Sequence, residues 1–416
     1  MRLEGLLSDS GGSPCPPLIR APAQTARVLM YSHDTFGLGH LRRSRVIAEE
    51  LTRQYPAVEV TILTGAPSVA SFPPCDRVRL VRLPPVKKKA NGAYVSGDEK
   101  MSLADTISAR RAIISAEAMQ LAPHVTIVDK EPSGVHGELL PALKYLKGRG
   151  SRIVLGLRDV LDAPEPLRVE WARKQASRSI ERFYDELWIY GPSDFHDPLG
   201  GIDLPRSLQE RTVFTGFLGR SLSDALPRSQ LPGDYVLVTA GGGADGYPLL
   251  SRAIEALKAL DGPKALLVAG PYMALAELAD LQSRAKGHHS LKVIAFDPCM
   301  QNLVARSRAL ISMCGYNTFC EALSFDIPAL YLPRTSPRLE QWIRASRSEA
   351  LGWSALLSLD EAVDRDRFST AVEQLLSRSP PSGSKICPDM GGLAMIGSRV
   401  APVLSQAPPP SSRSML

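Results

Sequence analysis

The sequence predicts an α/β protein of two doubly wound parallel-sheet domains facing each other across a cleft. Three observations carry that prediction. Short Val/Ile/Leu runs alternate with helix-period segments along most of the chain, as expected of strands buried on both faces by crossover helices. The pattern runs through twice, separated by an aperiodic stretch, GRSLSDALPRSQLPG at 219–233, whose polar, Pro- and Gly-containing composition marks a seam. The 416 residues also exceed the roughly 250–300 at which a single core stops growing.

Residues 1–26, rich in Ser, Gly, Pro and Ala, lack the charged start and apolar centre of a signal peptide and read as a disordered lead. The first domain, 27–220, holds the strands RVLMYS, VEVTILTG, RVRLVRLP, VTIVD, RIVLGLR and ELWIYG. After the first strand, a helix over about 40–53 puts Leu41, Ala48 and Leu51 on one face, with Ile47 beside them. The run KKKANGAYVSGDEK at 87–100 reads as a mobile loop with solvated lysines; closure on an acceptor or contact with an anionic membrane are its functional readings. The second domain, 221–400, repeats the grammar with YVLVTA, KALLVAG, LKVIAF, ALISM and PALYLP. The segment 401–416 reads as a disordered tail.

Composition narrows the function. Hydrophobic content of 44% and charge of 22% are those of a globular protein, and the net charge of +6 suits an anionic ligand, an anionic membrane surface or plain solubility. Aromatics make up 6% of the chain without basic interleaving, which argues against nucleic acid. The six cysteines, at 15, 75, 299, 314, 320 and 387, form no CxxC pair. They read as reduced thiols of a cytoplasmic protein, with the inner face of the membrane as the place of any peripheral contact. No stretch is long and apolar enough to span a bilayer.

Three segments carry candidate chemistry. In YSHDTFGLGHLRR (31–43), Gly37 and Gly39 have dinucleotide-fingerprint spacing, but Arg42 replaces the third glycine. The second strand ends in Thr64 and Gly65 where an acid belongs, so a nicotinamide enzyme is disfavoured. What remains is a glycine turn and a histidine at a helix N-terminus, where amides and dipole favour an anion. His40 is then a general base, or a cap on a helix whose glycines only turn the chain; residue types leave both open. In TAGGGADGYPLL (239–250), Gly241, Gly242 and Gly243 build a second anion cradle without a P-loop lysine. In the segment 311–345, Gly315 ends a strand and the helix from Tyr316 offers amides near Asn317 and Thr318 to a phosphate. Glu321, a turn further in, can accept from the vicinal hydroxyls of a ribose. Glu340 and Gln341 suit sugar hydroxyls at the same rim, although ordinary helix-surface polarity also accounts for such residues.

Other polar clusters read less sharply. Asp364-Arg365-Asp366 fits a DxD metal pattern but lies in a charged helical stretch, so neither metal nor cofactor is expected. Glu131, Gly134, His136 and Glu138 follow one first-domain strand, and Arg158 and Asp159 the next. They face an acceptor or pair with each other as structural ions.

The segment CGYNTFCEAL…P…EQ resembles the donor-binding signature of GT-B glycosyltransferases that use nucleotide-sugars. It is similar to the MurG-like group (glycosyltransferase family 28) and to the plant secondary-product transferases. The resemblance spans most of 27–400 and is stronger in the second half. It implies that Gly315, Asn317 and Thr318 hold the diphosphate, Glu321 the ribose, Glu340 and Gln341 the sugar, and Phe296 or Met300 the base. The triplet Gly241–Gly243 matches the family's second glycine loop. FGLGHLRR resembles its first, with Gly37 and Gly39 near the donor and the histidine facing acceptor and reacting carbon. Two departures stand out: Met313 occupies the position of a plant-enzyme histidine, and His40 has no obvious acidic partner, Asp129 and Asp34 being the candidates. The implied activity is inverting, metal-independent transfer from a UDP-linked sugar to an unidentified acceptor, with His40 and Asp129 as the catalytic pair. A nucleotide-sugar 2-epimerase using Asp34, Asp129 and Glu131, or a non-catalytic nucleotide-sugar binder, would share the frame.

Overall fold

The computed structural model describes residues 25–33, 39–66, 73–88, 93–222, 234–260 and 263–405. Within them the chain forms two wholly parallel sheets and one hairpin. The first sheet contains β1 (Ala26–Ser32), β2 (Val58–Thr64), β3 (Val78–Arg82), β6 (Val125–Asp129), β7 (Arg152–Arg158), β8 (Glu186–Tyr190) and β9 (Thr212–Phe214). Its order is β3-β2-β1-β6-β7-β8-β9. Its crossovers carry α1 (Gly39–Gln54), α2 (Leu103–Leu121), α3 (Leu140–Gly148), α4 (Pro164–Lys174), α5 (Ala176–Phe183) and α6 (Arg206–Gln209). The hairpin pairs β4 (Val86–Lys88) with β5 (Tyr94–Ser96).

The second sheet contains β10 (Val236–Thr239), β11 (Ala265–Val268), β12 (Leu291–Ile294), β13 (Ala309–Ser312), β14 (Ala329–Tyr331) and β15 (Ala355–Leu356), in the order β12-β11-β10-β13-β14-β15. Its helices are α7 (Tyr247–Ala259), α8 (Leu275–Ala285), α9 (Met300–Ala305), α10 (Tyr316–Ser324), α11 (Glu340–Ala350), α12 (Arg365–Leu376) and α13 (Gly392–Ser405).

The continuous apolar runs become central strands because both faces are covered. Every residue of β6, β8, β10, β11 and β13 is buried. On α1, Leu41, Ile47, Ala48 and Leu51 are buried as their spacing predicts. The edge strands β9 and β15 were not legible, being three and two residues long. The predicted loop at 87–100 instead contributes to a hairpin, because Val86 is buried with Ile107 and Val135 while Tyr94 packs on them. The rest of that loop, 89–92, lies outside the described residues.

One core cluster spans both sheets, from Val28 and Trp188 to Phe319 and Trp353, while each sheet keeps a further cluster of its own. Phe195 stacks on Trp353 at 5.6 Å and meets Phe217 edge-on at 5.1 Å, while Phe217 meets Phe319 at 5.3 Å. Helix α13 then returns to the first sheet: Gly392 N donates to Phe217 O at 3.0 Å and Tyr55 Oη donates to Gly397 O at 2.9 Å. A Cβ at Gly392 would lie 2.5 Å from Gly216 O and 2.6 Å from Phe217 O, so glycine permits this approach of α13 to the backbone after β9. The first residues of the predicted tail are thus helical, and Ala26 already belongs to β1. The remainder of lead and tail, and residues 223–233 of the predicted seam, lie outside the described residues.

Candidate active site

Strand order reverses between β1 and β6 in the first sheet and between β10 and β13 in the second. Ligands of open α/β sheets bind beyond the carboxyl ends at such switch points. The residues delivered there are His33 after β1, Asp129 at the end of β6, the Gly241–Gly243 turn after β10 and the 313–315 turn after β13. Contacts across the cleft bring the two sets together, as in the 3.0 Å bond from Asn317 Nδ2 to Gly39 O.

On the first-sheet side, His40 in the first turn of α1 places Nδ1 against Asp129 Oδ2. The other carboxylate oxygen accepts from Arg43, at 3.0 Å from Nε and 2.5 Å from Nη2. Arg43 Nη2 also lies 2.9 Å from His40 Nδ1, but Nδ1 cannot both donate to the carboxylate and accept from the guanidinium. Burial alone would raise Asp129; Arg43 and His40 override that and hold it well below the carboxylate range. An ionised Asp129 takes the Nδ1 proton, leaving Nε2 as the basic nitrogen. Burial lowers His40, Asp129 offsets part of this, and Arg43 and Lys130 lower it again, to about 4. The imidazole is therefore neutral at pH 7. His33, fully buried, sets its ring edge-on to His40 at 5.5 Å.

On the second-sheet side, Cys314 adopts a left-handed φ of 59° and Gly315 opens α10 with no side-chain cap. The first amides of α10 consequently lack intrahelical partners. Asn317 and Thr318 are buried in that first turn, and Glu321 follows one turn on at 1% exposure. The triplet turn approaches as the glycines require: Gly243 has φ 91°, and a Cβ there would lie 2.3 Å from Ala269 O. Phe296 lies half-buried just past β12, and Met300 half-buried at the start of α9. At the rim, Gln341 Oε1 accepts from Arg334 N at 3.1 Å, and Glu340 is held near 2 because Arg158, Arg344 and Arg334 overcome the effect of burial. Gly37 and Asp34 lie outside the described residues.

Between the halves runs a set of ion pairs that residue spacing did not reveal. Arg42 bonds Glu321, Arg158 bonds Glu340, and Arg344 bonds Asp159 through two 2.7 Å contacts, both partners wholly buried. Arg344 also donates to Cys314 O at 2.9 Å, bracing the turn before α10. Arg158 and Asp159 thus do not pair with each other; Arg158 ends β7, Asp159 follows it, and each finds its own partner across the cleft. Glu131 is engaged by Lys174 at 2.8 Å. Glu138 is sealed in a first-domain pair with Arg110 at 2.6 Å and so does not face an acceptor. His136 is exposed, edge-on to Tyr94. Asp364 caps α12, accepting from Asp366 N and Arg367 N. No group of three His, Cys, Asp or Glu suited to a metal occurs among the described residues. No helix among them is long and apolar enough to cross a membrane.

No protein-family profile and no curated protein matches the sequence. Solved structures do. A UDP-glucosyltransferase from Polygonum tinctorium superposes at a TM-score of 0.59 and 13% identity, over 93% of this chain and 100% of that one. MurG of Acinetobacter baumannii follows at 0.56 and 14%, over 91% and 99%. A Medicago truncatula protein complexed with UDP-glucose gives 0.58 and 14%, over 91% and 98%. The fold is GT-B. The comparisons span both GT-B sheets, and at such identities they speak for architecture; the side chains of the cleft must speak for chemistry.

Proposed function

We propose that this GT-B protein transfers a sugar from a nucleoside diphosphate donor, UDP-linked, to a nucleophile held against the first sheet. The observation that carries the reading is the His40–Asp129 pair placed across the cleft from the α10 turn, Glu321 and the Glu340–Gln341 rim. Glu321 accepts from the ribose hydroxyls, Glu340 and Gln341 engage the sugar, and Phe296 with Met300 flank the base. The Gly241–Gly243 turn and the amides at Gly315, Asn317 and Thr318 receive the diphosphate. The uridine choice rests on the UDP-glucose in the Medicago neighbour.

The step is a single in-line displacement. His40 Nε2 takes the proton of the acceptor hydroxyl as its oxygen bonds the anomeric carbon. The bond from that carbon to the phosphate oxygen breaks, its electron pair leaving with the diphosphate, and configuration inverts. Amides and guanidinium groups carry the charge that a metal carries elsewhere. The epimerase reading is less favoured, because Asp129 and Glu131 are each committed to cations. Contact with an anionic membrane would rest on the hairpin, where Lys87 is exposed.

The test is thermal shift with UDP, GDP and dTDP, followed by release of free nucleotide from the matching sugar donor. We expect one nucleotide to raise Tm, and His40→Ala to keep that shift while losing turnover at least a hundredfold. Absence of any shift removes the donor reading. Unchanged turnover in the variant removes His40 from the base role.

A further inference from the structure

Three buried polar atoms along the cleft lack hydrogen-bond partners. Glu321 is 1% exposed, and Arg42 satisfies only Oε1; Oε2 is buried without a hydrogen-bond partner. Arg158 meets Glu340 through Nη2, while its Nε is buried without a partner. Arg334 Nε is left in the same condition beside Glu340. One unmet acceptor thus lies along α10 and two unmet donors lie at the rim. A protein rarely buries such groups unless something else meets them.

The charges point the same way. Burial lowers Arg158; Glu340 opposes this, but Arg43 and Arg344 reinforce it. Arg158 is thus a shielded cation with two further guanidinium groups nearby and Glu340 as its carboxylate partner. Arg344 itself is not available, since both sides of its guanidinium are spent on Asp159 and Cys314 O. Arg42 is different: its side chain is 19% exposed and it holds a single carboxylate oxygen. Arg220 donates to Asn317 Oδ1 at 3.0 Å, so guanidinium groups reach α10 at both Asn317 and Glu321.

We infer that Arg42 and Arg158, which pair with Glu321 and Glu340, are diphosphate-binding side chains, and that donor binding works by exchange of ion-pair partners. This rests on the donor reading of the site. A ribose that uses both oxygens of Glu321 must displace Arg42, and a sugar that engages Glu340 must loosen Arg158. The displaced guanidinium groups remain largely shielded from water, at 19% and 14% side-chain exposure, and an anion suits them; the diphosphate entering at the α10 turn offers oxygens suited to their forked geometry. Each carboxylate trades a guanidinium for hydroxyls and each guanidinium trades a carboxylate for phosphate. Neither charge is left unpaired during the exchange. A nucleoside without phosphates can break the pairs but cannot re-house the arginines, so the cleft discriminates for the diphosphate by construction.

The experiment is calorimetric titration of the full chain with UDP, GDP, dTDP and ADP, and with the nucleoside of whichever binds tightest. Wild type is compared with Arg42→Ala, Arg42→Lys, Arg158→Ala and Glu321→Gln, each checked first for an unchanged unfolding profile. Arg42→Ala and Arg158→Ala should each weaken the diphosphate about 10- to 100-fold, the scale of a lost charge-assisted pair, while the nucleoside binds as before or tighter. Arg42→Lys should fall between, keeping charge but not the fork. Glu321→Gln should weaken the nucleoside while inorganic pyrophosphate binds more tightly, because Arg42 is released. Diphosphate affinity within twofold of wild type in both alanine variants overturns the inference and leaves the donor reading standing. If wild type binds none of the four diphosphates, both fall together.

Discussion

At the scale of single residues, the pair at 40 and 129 sets a pH dependence with a definite sign. Burial, Arg43 and Lys130 keep His40 neutral down to about 4, against the upward pull of Asp129. The acid limb of kcat/KM reports the base of the free enzyme, so activity should persist well below pH 6.5 and fall as pH approaches 4. Lys130→Met removes one lowering cation and should move that limb toward neutral pH. Asp129→Asn removes the raising partner and the tautomer lock; it should cut turnover by about 10²–10⁴, the scale seen when a general base loses its orienting carboxylate. A wild-type limb near 6.5, or no movement in Lys130→Met, would contradict this account. Lys130 is itself held at a left-handed φ of 68° directly after Asp129, with burial lowering its amine to about 8. Non-glycine strain of that kind persists where surrounding structure over-determines it, often at functional sites.

At the scale of elements, legibility followed sequence distance. The 311–345 segment was readable because its turn, helix start and carboxylate are close in sequence, and α10 begins at Tyr316 as proposed. His40 and Asp129, 89 residues apart, could be paired from sequence only because both strands were expected to end at one cleft, which left Asp34 as a rival partner; they meet because β1 and β6 are adjacent. The arginines could not be read this way: residue type says that Arg42 or Arg158 wants an anion but not which one, and the partners lie 279 and 182 residues away. His33 and Arg43 were missed for the same reason. The pair joining the turn after β7 to α11 gives an element-scale prediction. Arg344 and Asp159 are both wholly buried, so Arg344→Ala strands a carboxylate without water or partner and should cost about 3–5 kcal/mol in urea unfolding. Arg344→Met combined with Asp159→Leu, which buries no charge, should recover much of that loss. If the double variant is as unstable as the single one, the pair is not the origin of the cost.

At the scale of the whole molecule, each sheet has a core of its own on one face and the two share a third between them. Phe195, Phe217, Phe319 and Trp353 interlock at the seam, and Tyr316 Oη donates to Tyr190 O at 2.8 Å. The chain crosses twice, once through 214–236 and again through α13, whose Arg399 bonds Glu186 on β8. Hydrophobic contact of this kind makes the halves unfold together, whereas ion pairs alone would leave them weakly coupled and sensitive to salt. Wild type should therefore show one calorimetric transition, little changed by salt. Trp353→Ala removes a side chain that is 2% exposed and stacks parallel to Phe195 at 5.6 Å, and its Nε1 bond to Ile386 O is lost with it. The expected cost is about 3–5 kcal/mol, with the single transition splitting into two as each sheet melts on its own. Two transitions in wild type would show that the aromatic seam does not couple the sheets, and would leave only polar contacts such as the cross-cleft ion pairs and the Tyr316–Tyr190 bond among the described residues to hold them together.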